Sequence, residues 1–170
     1  GHTDGLHKAI FSPDGKQIVT ISYDHTAKIW DSATGKLIAN LEGHKSSINA
    51  VCYSKDSSNL ATASSDKVAK VWDSSSGELK TTLTGHQGAI IALDFSPDGK
   101  LLVTGSLDRT AKLWQVDGEL LNTLREHKAG VTDTKFSFDG TNILTTSGDA
   151  KARLWQTETG NLNALALMEG

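Results

Sequence analysis

Short runs of alternating apolar and polar residues recur along the whole chain, separated by small polar turns. The segment IVTISYDHTAKIWD, residues 18–31, shows the pattern, with two apolar runs on either side of a turn rich in Asp, His and Thr. Two such runs around a short turn are typical of a β-hairpin. Because no segment has the spacing of an amphipathic helix, the pattern predicts an all-β fold.

This hairpin segment is repeated. Near-copies end at Trp72, Trp114 and Trp155, so that the four tryptophans, counted from Trp30, are 42, 42 and 41 residues apart. A fixed period of this length indicates a repeat architecture. A unit of about forty residues is too small to bury a sufficient core alone, so the units are expected to stack. The predicted units are residues 1–42, 43–84, 85–125 and 126–170.

The residue pattern within each unit predicts four short antiparallel strands. A turn carrying a histidine opens the unit, and apolar residues follow four and nine positions later, as in Leu6 and Phe11 after His2. A Ser-Pro-Asp-Gly turn at Ser12, and again at Ser96, has the residues that a tight hairpin turn needs. The second and third strands form the repeated hairpin, and a glycine after the tryptophan marks the turn into a more polar fourth strand.

These signatures together resemble the WD-repeat β-propeller family. The resemblance rests on Gly-His, on Phe-Ser-Pro-Asp-Gly and on Trp-Asp at a constant spacing, and it covers the whole chain. It implies four-stranded blades around a central channel, with the first strand of each blade innermost. Two positions depart from the family pattern, since Gln115 and Gln156 follow their tryptophans where Asp is expected.

The resemblance also implies a hydrogen-bonded set of four side chains in each blade, which we call the tetrad. The predicted tetrads are His2, Thr20, Asp24, Trp30; His44, Thr62, Asp66, Trp72; His86, Thr104, Asp108, Trp114; and His127, Thr145, Asp149, Trp155. A serine two residues after each threonine, such as Ser22, lies on the same side of the strand and is an alternative hydroxyl. The residue types are those of a catalytic triad, but four identical copies favour a structural network over one active site.

Binding is expected where the repeats differ from one another. The residues that flank each tetrad Asp and those that follow each tetrad His vary in chemistry, and the resemblance places both loops on one rim of the propeller. We predict that this rim binds a protein or peptide partner, although variable loops without a function are the alternative. The predicted rim residues are Tyr23, His25, Lys45, Lys67, Gln87, Leu107, Arg109 and Lys128.

Composition and charge bear on the kind of partner and on the compartment. The net charge is −3 with 17 scattered basic residues, which argues against a nucleic-acid partner. A single cysteine, Cys52, indicates a reducing compartment, and we predict the cytoplasm. The apolar runs are too short to cross a membrane, and neither His7 nor His25 belongs to a cluster with metal-ligand spacing, so no membrane contact, metal or cofactor is expected. The basic residue two positions before each tryptophan, such as Lys70, is interpreted as extending its head group from a buried strand.

The function predicted from the sequence is therefore a non-enzymatic interaction scaffold. An enzyme would need its site in the channel, where the first strands present groups of mixed charge that do not pair a base with a nucleophile: His7, Lys8, Asn49, Asp94, Asp133 and Lys135. A third reading is a fragment of a longer sensor or scaffold array.

Four blades would span only part of a ring. We therefore expect apolar faces at the two ends, one carrying Ile18, Ile29 and Trp30 and the other carrying Ile143, Leu154 and Trp155. Such faces normally mark an interface. We therefore expect these faces to be covered in a homodimer, in which two chains close an eight-bladed ring.

Overall fold

The computed structural model describes residues 1–169, and these form sixteen strands in four antiparallel sheets. The first sheet contains β1 (Leu6–Phe11), β2 (Gln17–Ser22), β3 (Ala27–Asp31) and β4 (Leu37–Leu41). The second contains β5 (Ile48–Tyr53), β6 (Asn59–Ser64), β7 (Ala69–Asp73) and β8 (Leu79–Leu83). The third contains β9 (Ile90–Phe95), β10 (Leu101–Ser106), β11 (Ala111–Gln115) and β12 (Leu120–Leu124). The fourth contains β13 (Val131–Phe136), β14 (Asn142–Ser147), β15 (Lys151–Gln156) and β16 (Leu162–Glu169).

Within each sheet the strands lie in chain order, joined by hairpins, so each sheet is one blade. The predicted all-β fold with four four-stranded units is confirmed. The first strands β1, β5, β9 and β13 of successive blades lie beside one another, so the first strand forms the inner edge of each blade. No helix in the described chain is long and apolar enough to cross a bilayer.

The last strand differs from the other fourth strands in its register. In the second blade Trp72 pairs with Leu79 and Lys70 with Thr82, whereas in the fourth blade Trp155 pairs with Leu162 and Arg153 with Leu167. The bulge between these two pairs therefore holds two more residues in β16, which explains the greater length of this strand. Gly170, the last residue of the predicted fourth unit, lies outside the described residues.

Three apolar clusters hold the blades together, one between each neighbouring pair. In the first, Val19, Ile21 and Ile29 of blade 1 are fully buried in one cluster with residues of blade 2 that include Ile48 and Trp72. The other two clusters repeat this contact between blades 2 and 3 and between blades 3 and 4. Blades 2 and 3 thus bury both faces, whereas blades 1 and 4 each bury one.

The side chains at the centre of each contact are matched in size. The site on β2 that holds Ile21 holds Ala63 on β6 and Gly105 on β10. A Cβ atom added at Gly105 would lie 2.8 Å from Cγ2 of Thr134 and 2.8 Å from Cγ1 of Val131, which is too close. Glycine is required there because blade 4 packs directly on the backbone of β10.

The prediction of the exposed end faces was wrong for three of the six residues. Ile29 is fully buried against blade 2, and Ile143 and Trp155 are buried against blade 3, because these side chains point toward a neighbour inside the chain. The open face of blade 1 instead exposes Leu6 and Phe11, with relative exposures of 60% and 66%. Ile18 and Trp30 on that face are half-buried, as is Leu154 on the open face of blade 4.

Candidate functional site

A tetrad joins the hairpin β6–β7 of blade 2 to the turn before β5. Trp72 Nε1 donates to Thr62 Oγ1 across 2.9 Å, Thr62 Oγ1 lies 2.9 Å from His44 Nε2, and His44 Nδ1 lies 2.9 Å from Asp66 Oδ2. A neutral imidazole protonated on Nδ1 satisfies every link, because it donates to the carboxylate and accepts the threonine O–H. The indole N–H at the other end then finds its acceptor in the threonine oxygen.

The same chain of contacts occurs in the other three blades. In blade 1 the Trp–Thr, Thr–His and His–Asp distances are 2.8, 2.8 and 2.9 Å, and in blade 3 they are 2.9, 2.9 and 2.7 Å. In blade 4 the first two are 2.8 and 2.7 Å, but the two His127–Asp149 distances lengthen to 3.1 and 3.2 Å. The difference arises from Arg153, whose Nη1 contacts His127 Nδ1 and donates to Asp149 Oδ2 across 2.9 Å.

Burial keeps three of the tetrad histidines neutral and hydrogen bonds keep the aspartates charged. Burial lowers the pKa of His44, His86 and His127, and this exceeds the opposing effect of each neighbouring carboxylate. Burial alone would raise the pKa of Asp66, but hydrogen bonds from the Lys45 N–H and from His44 together hold it below its ordinary value. The pKa of Asp108 falls to about 2 for the same reasons, with a further hydrogen bond from Thr110.

The serine alternative for the tetrad hydroxyl occupies a different place in the network. Ser64 Oγ donates to the carbonyl of Ser46 across 3.0 Å and accepts the Asp66 N–H across 3.1 Å. The serine therefore fastens the turn after His44 to the hairpin that carries Asp66, while Thr62 bridges His44 and Trp72. Ser22, Ser106 and Ser147 make the equivalent pair of bonds in their blades.

The tetrad also positions the two loops of the predicted rim. Asp66 Oδ2 accepts the backbone N–H of Lys45 across 2.8 Å, and Ser65 N–H donates to the carbonyl of Ser47 across 3.0 Å. These two hydrogen bonds join the loop after the tetrad His to the loop around the tetrad Asp. Thr3, Gln87 and Lys128 donate to their tetrad aspartates in the same way.

The eight loop residues predicted to bind a partner are all exposed in the structure, and we call them the tetrad rim. They are Tyr23, His25, Lys45, Lys67, Gln87, Leu107, Arg109 and Lys128. Three of them directly follow a tetrad Asp and have positive φ angles, 69° at His25, 71° at Lys67 and 73° at Arg109, as does Ala150 at 60° in blade 4. The left-handed region costs a non-glycine residue roughly 1–2 kcal/mol.

Two of the rim side chains rest on neighbouring loops. Tyr23 lies against Gly5 and its hydroxyl is 3.2 Å from His7 Nδ1, which brings a channel-side histidine into contact with the rim. Leu107 of blade 3 lies against Gly130 of blade 4, so the rim continues from one blade to the next.

Four basic side chains on the third strands also reach this edge, and the sequence interpretation gave them no functional role. Lys28 Nζ donates to Asn40 Oδ1 across 2.6 Å, Lys70 to Thr82 Oγ1 across 3.2 Å, and Lys112 to Thr123 Oγ1 across 3.0 Å. Their counterpart Arg153 instead forms an ion pair with Asp149. The sequence did contain a signal for these residues, because every third strand carries one basic residue among otherwise mostly buried positions.

Three of the groups predicted to line the channel, Asn49, Asp94 and Lys135, are engaged in contacts between neighbouring blades. Asp94 pairs with Lys135 across 3.2 Å and also accepts the Phe136 N–H across 2.9 Å. Asn49 donates to the carbonyl of Ile90 across 2.9 Å. These contacts join the first strands of neighbouring blades.

Comparison with known proteins identifies the repeat. The family model described as "WD domain, G-beta repeat" matches four times, at residues 1–31, 35–73, 77–115 and 118–156, which together are most of the chain. The chain belongs to the WD-repeat family. Each WD match after the first starts ahead of the fourth strand of one blade and ends with the third strand of the next, so the family's sequence unit is offset from the structural blade.

Individual WD-repeat proteins match over about one repeat. An uncharacterised WD repeat-containing protein of Synechocystis is 50% identical over 42 residues, 24% of this chain and 12% of the relative. Ribosome assembly protein 4 of Saccharomyces cerevisiae is 44% identical over 39 residues, 23% of this chain and 8% of its own length. A dynein assembly factor with WD repeat domains from Xenopus laevis is 42% identical over 43 residues, 25% of this chain and 10% of its own length. The matched part of this chain therefore spans only about a tenth of each relative.

Proposed function

We propose that the chain is a non-enzymatic interaction scaffold that presents the tetrad rim to a protein or peptide partner. The observation that carries this proposal is the contrast between tetrads and rim. The tetrads repeat the same residues and hydrogen bonds in every blade, while the side chains exposed directly above them differ from blade to blade. A rigid frame that holds variable exposed side chains is suited to recognition.

The backbone at the rim supports the same function. A glycine would adopt the positive φ after each tetrad Asp without strain, yet this chain places Lys67 and Arg109 there. Strain of this kind persists where the surrounding structure and the use of the side chain require it. The exposed Tyr23 and Arg109 also suit an interface, because Tyr and Arg are enriched among the residues that contribute most of the binding energy.

The alternative of an enzyme with a channel site has less support. Asp94, one of the two carboxylates predicted to line the channel, is held by Lys135 and by the Phe136 N–H. An activated nucleophile within hydrogen-bond reach would be needed beside it. WD-repeat relatives named for ribosome assembly and dynein assembly further favour a scaffold role.

A selection from a random peptide library displayed on phage tests the scaffold function. The selected peptides should bind the native chain and lose affinity for the variant Lys67→Gln with Arg109→Gln, whose melting temperature should stay nearly unchanged because both side chains are exposed. The matched control, Lys16→Gln with Lys100→Gln, removes the same charge from the opposite edge and should bind normally. Turnover in a broad hydrolase screen, or peptides that ignore the rim variant, would contradict the proposal.

We also propose that the chain associates with itself through its two open blade faces. Leu6 and Phe11 are 60% and 66% exposed in blade 1, whereas Ile48 and Tyr53, at the same sites of blade 2, are 0% and 9% exposed. The open face thus has the chemistry of an inter-blade contact with its partner blade missing. Blade 4 of a second copy would cover it and close an eight-bladed ring by twofold symmetry. Further blades of a longer WD-repeat chain are the competing occupant.

The compartment we propose is the cytoplasm. Its support is compositional, since the chain's single cysteine, Cys52, can form no internal disulfide, which fits a reducing compartment.

A further inference from the structure

The ammonium group of Lys70 is buried at the rim and forms no ion pair with a carboxylate among the described residues. Lys70 is 8% exposed, and its only described polar contact is the neutral hydroxyl of Thr82, 3.2 Å away. The face of the Trp72 ring, with its centroid 6.0 Å away, adds a weak attraction. A buried charge is ordinarily paired, so this site has an unmet need for an anion.

A cavity of about 280 Å³ opens onto this ammonium group from the rim. It is lined by Gly43, Lys45, Asp66, Val68, Lys70 and Thr82. The Asp66 carboxylate in its wall is already engaged, since it accepts hydrogen bonds from His44, Lys45 and Val68. Gly43 lies beside this ammonium group, since a Cβ atom there would be 3.8 Å from Lys70 Nζ.

The blades themselves provide a comparison. In blade 4 the equivalent cation, Arg153, forms an ion pair with Asp149 and so needs no external anion. In blade 3 Gln87 stands where blade 2 has Lys45, so only one lysine faces the equivalent site. Blade 2 is therefore the blade in which two lysines line a single cavity.

Charge is also distributed unequally between the two edges of the molecule. The tetrad edge carries nine cations, which are Lys45, Lys67, Arg109, Arg125 and Lys128 in its loops and the four basic residues of the third strands, against seven carboxylates, which are the four tetrad aspartates, Asp4, Glu42 and Glu126. The loops at the opposite edge of residues 1–169 carry four lysines and eight carboxylates. Such polarity steers an oppositely charged partner to one edge.

We propose that the partner of the tetrad rim is an acidic peptide segment, rich in Glu or Asp, one carboxylate of which enters the cavity between Lys45 and Lys70. This rests on the proposed scaffold function and names the chemistry of its partner. Further carboxylates along the segment would meet Lys67 and, on blade 3, Arg109. A charge-assisted hydrogen bond to the buried ammonium group would be the strongest single contact.

The test measures binding of a fluorescein-labelled peptide of twelve residues that alternates Glu and Ser, by fluorescence anisotropy at low salt. The native chain should bind it, bind the Gln-for-Glu version at least about tenfold more weakly, and lose affinity as salt rises. Lys45→Gln and Lys70→Met should each weaken binding about tenfold, the second without loss of packing because Met keeps most of the apolar stem. The control pair Lys16→Gln with Lys100→Gln should change it less than about twofold.

Several outcomes would overturn the inference. They are equal binding of the Glu and Gln peptides, equal weakening by the rim and control variants, or tighter binding of a single-stranded oligonucleotide of the same charge. The phage selection separates this failure from failure of the scaffold function. Neutral peptides that depend on Lys67 and Arg109 would keep the scaffold function and remove the acidic partner, whereas peptides indifferent to the rim would remove both.

Discussion

The backbone N–H of Lys45 donates to Asp66 Oδ2 across 2.8 Å, and the same oxygen accepts Nδ1–H of the buried His44 across 2.9 Å. One carboxylate therefore holds both a core side chain and a rim loop. Because this link is present in every blade, the rigidity of the core extends to the exposed loops. The interaction surface and the structural network share atoms.

Removing this carboxylate should destabilise the fold. Asp66→Ala leaves His44 Nδ1–H and the N–H groups of Lys45 and Val68 without their acceptor, which should cost roughly 1–3 kcal/mol in the free energy of unfolding. Thermal unfolding measures it, with Asp117→Ala in an exposed turn as the control. Amide exchange at Lys45 should also accelerate. A melting temperature equal to that of the parent would show that the tetrad does not stabilise blade 2.

Stability should fall as the pH decreases from 7 to 5. The folded-state pKa values of His44, His86 and His127 are lowered below the ordinary 6.5, so the unfolded chain binds protons first. Their contribution is complete above 6.5 and is lost as the pH falls toward the folded pKa values. A second loss should follow between about 3.8 and 2, as Asp108 is protonated.

Melting temperatures recorded across this pH range check the assignment. His86→Gln lowers the melting temperature at pH 7 but should flatten its dependence on pH between 7 and 5, because one of the three groups no longer titrates. An unchanged slope in that variant would place the pH dependence elsewhere.

The fold followed from the sequence because the repeat is strongly local. Each hairpin, turn and tryptophan lies within one unit, so period and turn chemistry together predicted four four-stranded blades. The sequence did not predict which face of a blade each apolar side chain occupies. Ile29 and Leu6 are both apolar strand residues, and only the packing shows that Ile29 faces blade 2. The surroundings of the Lys70 ammonium group could not be predicted from the sequence either, because Thr82 and Gly43, which lie next to it, belong to other segments of the chain.

Replacing one buried hydroxyl should stabilise the contact between blades 3 and 4. Thr134 is fully buried, and its Oγ1 finds no hydrogen-bond partner among the described residues, while blades 2 and 3 place Val51 and Leu93 at this site. Thr134→Val keeps the shape and removes the unpaired group, so the free energy of unfolding should rise by about 1 kcal/mol. Thr84→Val, at an exposed site, should be nearly neutral. A lower melting temperature for Thr134→Val would indicate a partner for that hydroxyl.

Closure by a second copy should be visible in the mass. Light scattering should give about twice 18.1 kDa for the native chain. Leu6→Glu with Phe11→Glu should give a monomer, because charges on the open face of blade 1 cannot be buried against another blade. Leu37→Glu, which changes an exposed leucine on the outermost strand of the same blade, should leave the mass unchanged. A stable native monomer would disprove self-closure.

The most direct test of the scaffold account is to locate a bound peptide on the chain by amide hydrogen exchange. A peptide from the phage selection, added at saturation, should slow exchange in the tetrad-rim loops at residues 44–47, 65–68 and 107–110. Exchange at the opposite edge, in the turns at residues 12–16, 54–58 and 96–100, should stay as in the free chain. Protection confined to those turns, or to the channel strands β5 and β9, would contradict the account.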